Sequence, residues 1–163
     1  MGEYSHISHT FLPVYNESSK TLILGSFPSV KSREQGFYYG HPQNRFWKVT
    51  AAVFGCPVPQ TVEEKRAFLL ANRIAVWDVI ASCDIEGSSD SSIRNVSAND
   101  IGRILNHAPI ETICVNGKTA LKYYDKYLKP VTGRDAVCLP STSPANAAWN
   151  LEKLTEAWKT IRG

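Results

Sequence analysis

The sequence predicts an α/β fold, a three-layer α/β/α sandwich with a central, mostly parallel sheet of about four strands. Four short apolar runs, rich in β-branched or aromatic residues, are continuous rather than alternating, as strands covered on both faces require. The segments between them have helical spacing, and 163 residues suit a single domain spanning residues 1–163. The predicted strands lie at residues 21–24, 74–79, 112–115 and 136–139.

Hydrophobic spacing and capping residues place the helices between these strands. Apolar residues at positions 46, 49 and 53 predict a helix after Asn44. Thr61 and Ser97, each followed three residues later by an acid, predict helices that end near residues 71 and 106. Two more helices are expected after Gly117 and after the last strand. The buried face of the last helix is predicted to contain Leu151, Leu154, Trp158 and Ile161.

Composition and charge exclude several classes of protein. No run of 18 apolar residues and no signal-peptide pattern is present, so neither membrane spanning nor export is expected. The four cysteines form no C-x-x-C pair, which predicts reduced thiols in a cytoplasmic protein with no metal and no cofactor. Cys114 and Cys138 are interpreted as small hydrophobic residues inside strands. The net charge of +3 is too small to identify nucleic-acid binding.

Two polar segments are assigned to the surface. The acidic, serine-rich stretch at residues 84–92 is predicted to be an exposed loop. His6 and His9 are assigned to a frayed N-terminal segment, and neither has partners at metal-ligand spacing. Chemistry is expected elsewhere, because ligands of open α/β sheets bind beyond the carboxyl ends of the strands.

Three motifs lie at or near those strand ends. GSFPS follows the first strand at residues 25–29, GHPQNRFW lies at residues 40–47, and STSPAN follows the last strand at residues 141–146. In this order they resemble the motifs of the uracil-DNA glycosylase superfamily, most closely its hypoxanthine-DNA glycosylase branch. The resemblance implies a monofunctional enzyme that flips a deaminated base out of double-stranded DNA and hydrolyses its N-glycosidic bond. The protein is also expected to be a monomer.

The resemblance also implies a catalytic residue. Many superfamily members carry an acidic or amide residue in the first motif to position water, but Phe27 occupies that place here. In the branch that this chain resembles, the amide maps to Asn44. Its carbonyl oxygen would hold the water while charge develops on the sugar and the departing base. Asn44 also suits the cap of the following helix, and the two uses are compatible.

Four residues are expected to contact the flipped base. Phe27 and Tyr39 would form its walls, unless they pack under the loop. Asp78, at the superfamily's base-reading position, would accept the N1–H of hypoxanthine, which adenine lacks; alternatively it caps a loop or pairs with an arginine. Ser141 stands where other branches have His or Asn, and its hydroxyl or nearby backbone amides would stabilise the leaving base.

Contacts with the DNA backbone and a wedge complete the expected site. Ser143 is assigned to phosphate and Pro144, Ala145 and Asn146 to the wedge that replaces the flipped base, although Asn146 is also suited to cap a helix. Ser29 and His41 are assigned to DNA contacts. Lys118 begins a lysine stripe that either faces DNA or is simply solvated. The stripe comprises Lys118, Lys122, Lys126 and Lys129.

Three alternative functions remain open from the sequence. Within the same class, a mismatch-specific uracil-DNA glycosylase differs by the volume of its base pocket. Outside it, a non-catalytic module that binds a nucleotide or phosphorylated ligand is weakened by the lack of G-x-G-x-x-G and Walker motifs. A damaged-DNA binder without activity is suggested because Phe27 and Ser141 replace stronger groups.

Overall fold

The computed structural model describes residues 4–9, 11–87 and 89–162, without the side chain of Asp90. The order of regular elements resembles the predicted one, with additional strands. The strands are β1 (Ser5–Ser8), β2 (Thr21–Gly25), β3 (Ile74–Asp78), β4 (Ile80–Ile85), β5 (Arg94–Ala98), β6 (Thr112–Asn116) and β7 (Val137–Leu139). The α-helices are α1 (Val30–Gln35), α2 (Phe46–Phe54), α3 (Val62–Ala71), α4 (Gly102–Leu105), α5 (Lys118–Tyr123), α6 (Lys129–Thr132) and α7 (Leu151–Trp158).

The central sheet confirms the predicted fold class. Four parallel strands lie in the order β3-β2-β6-β7, with helices flanking them. Strands β2 and β3 are buried along their whole length, which explains their continuous apolar sequences. The edge strand β7 differs, because Cys138 is exposed there, although it lies inside a strand as expected. Cys114, in the central region of the sheet, is buried as expected.

A second sheet of three antiparallel strands, in the order β1-β4-β5, is absent from the sequence prediction. Strand β4 follows β3 after a single residue, Val79, so one stretch of chain passes from the parallel sheet into the antiparallel one. The assignment of His6 and His9 to a frayed terminus is wrong, because β1 pairs with β4 from Ser5↔Ile85 to Ser8↔Ser82. Part of the predicted loop at residues 84–92 is also strand, and residue 88 lies outside the described residues.

The helix predictions are mostly confirmed. Thr61 caps α3 by accepting a hydrogen bond from the Glu64 amide at 3.0 Å, as the capping box predicts. The box at Ser97 is wrong: Ser97 lies in β5, and only the short α4 follows. Helix α5 continues through a π-helical turn, Tyr124–Leu128, into α6. In α7, Leu154 and Trp158 are buried as predicted, whereas Leu151 is 42% exposed.

Candidate active site

A cavity of about 300 Å³ lies at the carboxyl edge of the parallel sheet. Its lining residues come from the segments that follow β2, β3, β6 and β7, and from the connection that precedes α2. This is where a ligand site is expected in an open α/β sheet. The volume is at the small end of the usual range for ligand pockets. Among the sequence-predicted residues, the cavity is lined by Phe27, Ser29, Tyr39, His41, Asn44, Asp78, Ser141, Ser143, Pro144 and Ala145.

The side chain of Asn44 borders the cavity and is held by two hydrogen bonds. Its Oδ1 accepts from the Phe46 amide at 2.9 Å and from the Thr142 hydroxyl at 2.8 Å. Thr142 is fully buried and in turn accepts from Asn116 Nδ2 at 3.0 Å, while its amide donates to Asn116 Oδ1 at 3.1 Å. Asn44 therefore bonds the first amide of α2 from one residue before the cap position, because Arg45 is the N-cap of this helix. Both acceptor positions of Oδ1 are occupied, which leaves Nδ2 as the polar group available to a water.

Arg45 fastens the STSPAN loop to the start of α2. Its guanidinium donates to the carbonyl oxygens of Ser143 and Asn146, each at 3.0 Å, and to that of Trp149. The Arg45 amide also donates to the Thr142 carbonyl at 3.0 Å. The planar, permanently charged guanidinium carries enough N–H donors to bond several carbonyl oxygens at once. The loop that borders one side of the cavity is thus fixed to the segment that carries Asn44.

The aromatic residues take different positions around the cavity. Phe27 lies on the cavity wall and is 9% exposed, with the Arg33 guanidinium 5.8 Å from its ring centroid. Tyr39 stacks one face on Phe46, with ring centroids 4.0 Å apart, so only its remaining surface is available to a ligand. Tyr38 packs among other rings and donates its hydroxyl to the Leu12 carbonyl at 2.9 Å. Phe27 is therefore the better placed of these rings to contact a base.

Asp78 borders the cavity at the end of β3, directly opposite Gly25 of β2. A Cβ at position 25 would lie 2.5 Å from Asp78 Oδ1 and 3.1 Å from the Tyr39 hydroxyl, so only glycine permits this close approach. Asp78 Oδ2 lies at hydrogen-bond distance, 2.8 Å, from His9 Nε2, and both side chains are buried. The side-chain partner of Asp78 is thus a histidine from the N-terminal strand region, where the sequence suggested an arginine.

The two tyrosine hydroxyls near Asp78 remain protonated. Burial, assisted by the negative charge of Asp78, raises the pKa of Tyr38 and of Tyr39 far above the usual tyrosine range. Among the described residues the Tyr39 hydroxyl has no hydrogen-bond partner of good geometry, although the Asn116 amide is near enough to lower its pKa slightly. A buried hydroxyl of this kind is a ready donor to a polar ligand atom.

The STSPAN loop is organised by its own side chains. Ser141 Oγ accepts from the Ser143 amide at 3.1 Å and keeps its proton to donate, and Ser143 Oγ accepts from the Ala145 amide at 3.2 Å. Asn146 donates to the Ser141 carbonyl at 3.0 Å. Asn146 is therefore not a helix cap; Asn150 caps α7, accepting from the Lys153 amide at 2.8 Å. Pro144 and Ala145 are exposed at the tip of the loop.

Two of the remaining predicted DNA contacts, Ser29 and His41, line this cavity, whereas Lys118 does not. Ser29 caps α1 and bonds Ser32, while His41 Nδ1 accepts from the Gln43 amide at 3.1 Å. Lys118 is exposed beside a groove on the other side of the STSPAN loop, which Asn146 also lines. The other lysines of the stripe are exposed as well, and Lys129 pairs with Asp135 at 2.7 Å.

Four residues of this site escaped the sequence analysis. Thr142 and Arg45 lie inside the recognised motifs, so their position in those motifs was an available signal. Asn116 ends β6, and a polar residue after a buried strand was an available signal too. His9 offered none, because it lies 69 residues from Asp78. Within residues 4–9, 11–87 and 89–162, no group of three or more potential ligands could hold a metal ion.

The parallel sheet and the cavity at its carboxyl edge place the protein in the class of α/β proteins with a ligand site at the strand ends. Comparison with known proteins identifies its family. The family model of the uracil DNA glycosylase superfamily matches residues 12–162, so the chain belongs to this superfamily of DNA glycosylases, which hydrolyse N-glycosyl bonds. The resemblance expected from the three motifs is confirmed.

Individual relatives are similar over nearly the whole chain. A hypoxanthine DNA glycosylase from Methanosarcina acetivorans is 34% identical over 95% of this chain and 98% of its own length. A hypoxanthine DNA glycosylase from Methanosarcina barkeri is 33% identical over 83% of this chain and 86% of its own. The solution NMR structure of a Methanosarcina acetivorans protein assigned to the uracil DNA glycosylases superposes with a TM-score of 0.77 at 32% identity, covering 94% of this chain and 97% of that one.

Proposed function

We propose that this chain is a monofunctional DNA glycosylase of base excision repair, which hydrolyses the N-glycosidic bond of deoxyinosine to release hypoxanthine and accepts uracil as a second substrate. The observation that carries the proposal is the meeting of Asn44, Asp78, Phe27 and the STSPAN loop around one cavity. The relatives named as hypoxanthine DNA glycosylases support the choice of substrate.

Asn44 positions the attacking water in this proposal. Glycosidic bond cleavage builds positive charge on the sugar, so the water needs to be placed rather than deprotonated early. Oδ1 is anchored by Phe46 and Thr142, and Nδ2 contacts the water. This revises the expectation that the carbonyl oxygen is the contact. The Ser141 hydroxyl donates a hydrogen bond to the departing base and so helps to stabilise its negative charge, without transferring its proton.

Base binding follows from the other walls of the cavity. The flipped base stacks on Phe27, and such stacking contributes about 1–3 kcal/mol per base. Tyr39 provides its unpaired hydroxyl, and Asp78 accepts the N1–H of hypoxanthine. Adenine has no hydrogen at N1, so it cannot donate to this carboxylate. The pocket therefore discriminates against adenine.

The DNA contacts are proposed as the motifs imply. Ser29, His41 and Ser143 approach phosphates, and Lys118 adds a sequence-independent, salt-sensitive attraction. The exposed Pro144 and Ala145 enter the space that the flipped base vacates, with Asn146 bracing the loop through the Ser141 carbonyl. A monomer acting in the cytoplasm as a single domain is the state proposed; no described helix is long and apolar enough to cross a membrane.

The test is release of bases from duplexes that contain hypoxanthine, uracil, xanthine or no lesion, detected as alkali-labile sites. Asn44→Ala is expected to reduce hypoxanthine release by about 100-fold or more while DNA binding persists. Asn150→Ala is the matched control, because it too removes an asparagine that bonds the start of a helix, here an N-cap worth about 1 kcal/mol, but Asn150 lies outside the cavity.

Three outcomes would contradict the proposal. Unchanged release by Asn44→Ala would remove the role given to that amide. Binding of damaged DNA without release of any base would favour a damage binder. Saturable binding of free nucleotide without affinity for DNA would favour a nucleotide-binding module.

A further inference from the structure

His9 lies directly behind the proposed base pocket. It follows β1, and its amide donates to the Ala81 carbonyl at 2.6 Å, which fixes the backbone against β4. Although the residue is near the N-terminus, its side chain is only 2% exposed. The imidazole Nε2 is 2.8 Å from Asp78 Oδ2, and the Asp78 side chain is 5% exposed. The two groups form the most deeply buried histidine–carboxylate contact among the described residues.

Aromatic rings surround this imidazole. Ring centroids of Phe11, Tyr38 and Phe27 lie 4.5, 5.9 and 6.3 Å from that of His9. The ring of Phe27, the proposed stacking residue, is edge-on to His9, at an interplanar angle of 81°. An apolar cage strengthens the hydrogen bond inside it and leaves the imidazole little freedom to turn. His9 therefore supports two walls of the cavity, Phe27 by packing and Asp78 by a hydrogen bond.

The carboxylate is held so that its two oxygens have different neighbours. Oδ2 is committed to His9, whereas Oδ1 lies over Gly25 at the cavity. The backbone on either side is also fixed, because Asn99 Nδ2 donates to the carbonyls of Asp78 at 2.9 Å and Ile80 at 3.2 Å. With the main chain and Oδ2 both held, Asp78 cannot rotate freely, and Oδ1 remains as the acceptor for a ligand.

We infer that His9 is a positioning residue for base selection: by donating to Asp78 Oδ2, it holds that oxygen in place and directs Oδ1 to the N1–H of the flipped hypoxanthine. The inference rests on the proposed function. A buried carboxylate oxygen that loses its hydrogen-bond donor is free to turn toward another partner. Asp78 Oδ1 would then no longer be directed to the base, and the pocket would no longer favour a base with N1–H over a base without it.

The experiment measures single-turnover release from two duplexes, one with hypoxanthine and one with 1-methylhypoxanthine, whose N1 carries no hydrogen. His9→Phe keeps an aromatic ring but removes the donor, and we expect hypoxanthine release to fall by about tenfold or more. The ratio of the two rates falls at least about fivefold, because the lost contact is specific to N1–H. His9→Gln places an amide N–H near the former Nε2, and it restores both quantities to within about threefold of the original protein.

A matched control is available on the same strand. His6 pairs with Asp84 through Nδ1 at the same distance, 2.8 Å, but its side chain is 63% exposed. His6→Phe thus removes an imidazole–carboxylate pair without touching the cavity, and it leaves both rates unchanged. If circular dichroism shows that His9→Phe is unfolded, His9→Asn takes its place, since the shorter amide cannot reach Asp78, and the same losses are expected.

The outcomes separate this inference from the proposed function. If the original protein releases hypoxanthine and His9→Phe or its replacement does so equally well, the inference is overturned and the function stands. Equal losses in His9→Phe and His9→Gln overturn it too, since ring packing rather than the donor would then matter. An original protein that releases no base from any duplex overturns the proposed function, and the inference with it.

Discussion

Replacing Thr142 by valine isolates the hydrogen bond that holds the proposed catalytic amide. Valine has nearly the same shape, so the packing of this fully buried side chain is kept while its hydroxyl is lost. Two side-chain hydrogen bonds disappear, one to Asn44 Oδ1 at 2.8 Å and one from Asn116 Nδ2 at 3.0 Å. At about 0.5–1.5 kcal/mol each, their loss lowers the free energy of unfolding by about 1–3 kcal/mol.

The effect on catalysis follows from the first of these bonds. If the energy of the Thr142–Asn44 bond keeps Nδ2 aimed at the water, its loss of about 0.5–1.5 kcal/mol slows hypoxanthine release about 2- to 12-fold. The assay is single-turnover release under conditions where the variant is fully folded, with urea unfolding measured in parallel. DNA affinity is expected to stay unchanged, because Thr142 has no exposed surface.

Thr50→Val is the control for this experiment. The Thr50 hydroxyl is also buried, but it donates to the Phe46 carbonyl within α2 and does not line the cavity. The Thr50→Val variant is expected to have a lower free energy of unfolding but an unchanged rate of hypoxanthine release. A Thr142→Val variant as fast as the original protein would refute the argument, as would equal slowing by both variants. Faster release would show that Oδ1, freed from Thr142, is the group that holds the water.

Three further predictions concern the loop, the cavity wall and a buried thiol. Arg45→Lys replaces a guanidinium that donates to three carbonyl oxygens by a single ammonium group. Amide hydrogen exchange of residues 143–149 is expected to accelerate, and the free energy of unfolding to fall by about 1.5–3 kcal/mol. Unchanged exchange would contradict this. Gly25→Ala brings a Cβ within 2.5 Å of Asp78 Oδ1, so hypoxanthine release is lost while far-ultraviolet circular dichroism is retained, and an active variant would show that Asp78 is free to move. Burial raises the pKa of the Cys114 thiol from 9.0 to about 12, so the unfolded chain loses this proton at a lower pH than the folded chain. The free energy of unfolding therefore falls as the pH rises from 9 to about 12. Urea unfolding at pH 8 and pH 10 checks this, and the decrease is expected to be smaller in Cys114→Ala.

The central sheet was accessible from the sequence because its signals are local. Each of its strands is a short, continuous apolar run. Such a run is too short for a helix and matches a strand that is buried on both faces of a parallel sheet. The capping box at Thr61 worked for the same reason, since all its atoms lie within one turn of helix. The identical pattern at Ser97 failed because pairing between β4 and β5 takes that residue into a strand.

The antiparallel sheet was not accessible because its strands are polar and their partners are distant. Strand β1 reads SHIS, with a single apolar residue, and β5 reads RNVSA, in which only the last four residues alternate, the shortest run that marks a half-buried strand. Residues of β1 pair with residues of β4 that lie more than 70 positions away, as in His6↔Asp84. Only the folded chain brings these partners together.

The sequence by itself determined the parallel sheet, the cavity at its carboxyl edge and the motif residues around it, because burial patterns and motif order are properties of short segments. Only the tertiary structure decided how the functional groups are held: Asn44 by Thr142 and Asn116, the STSPAN loop by Arg45, and Asp78 by His9. Hydrogen bonds between segments depend on distances and angles that no linear pattern records.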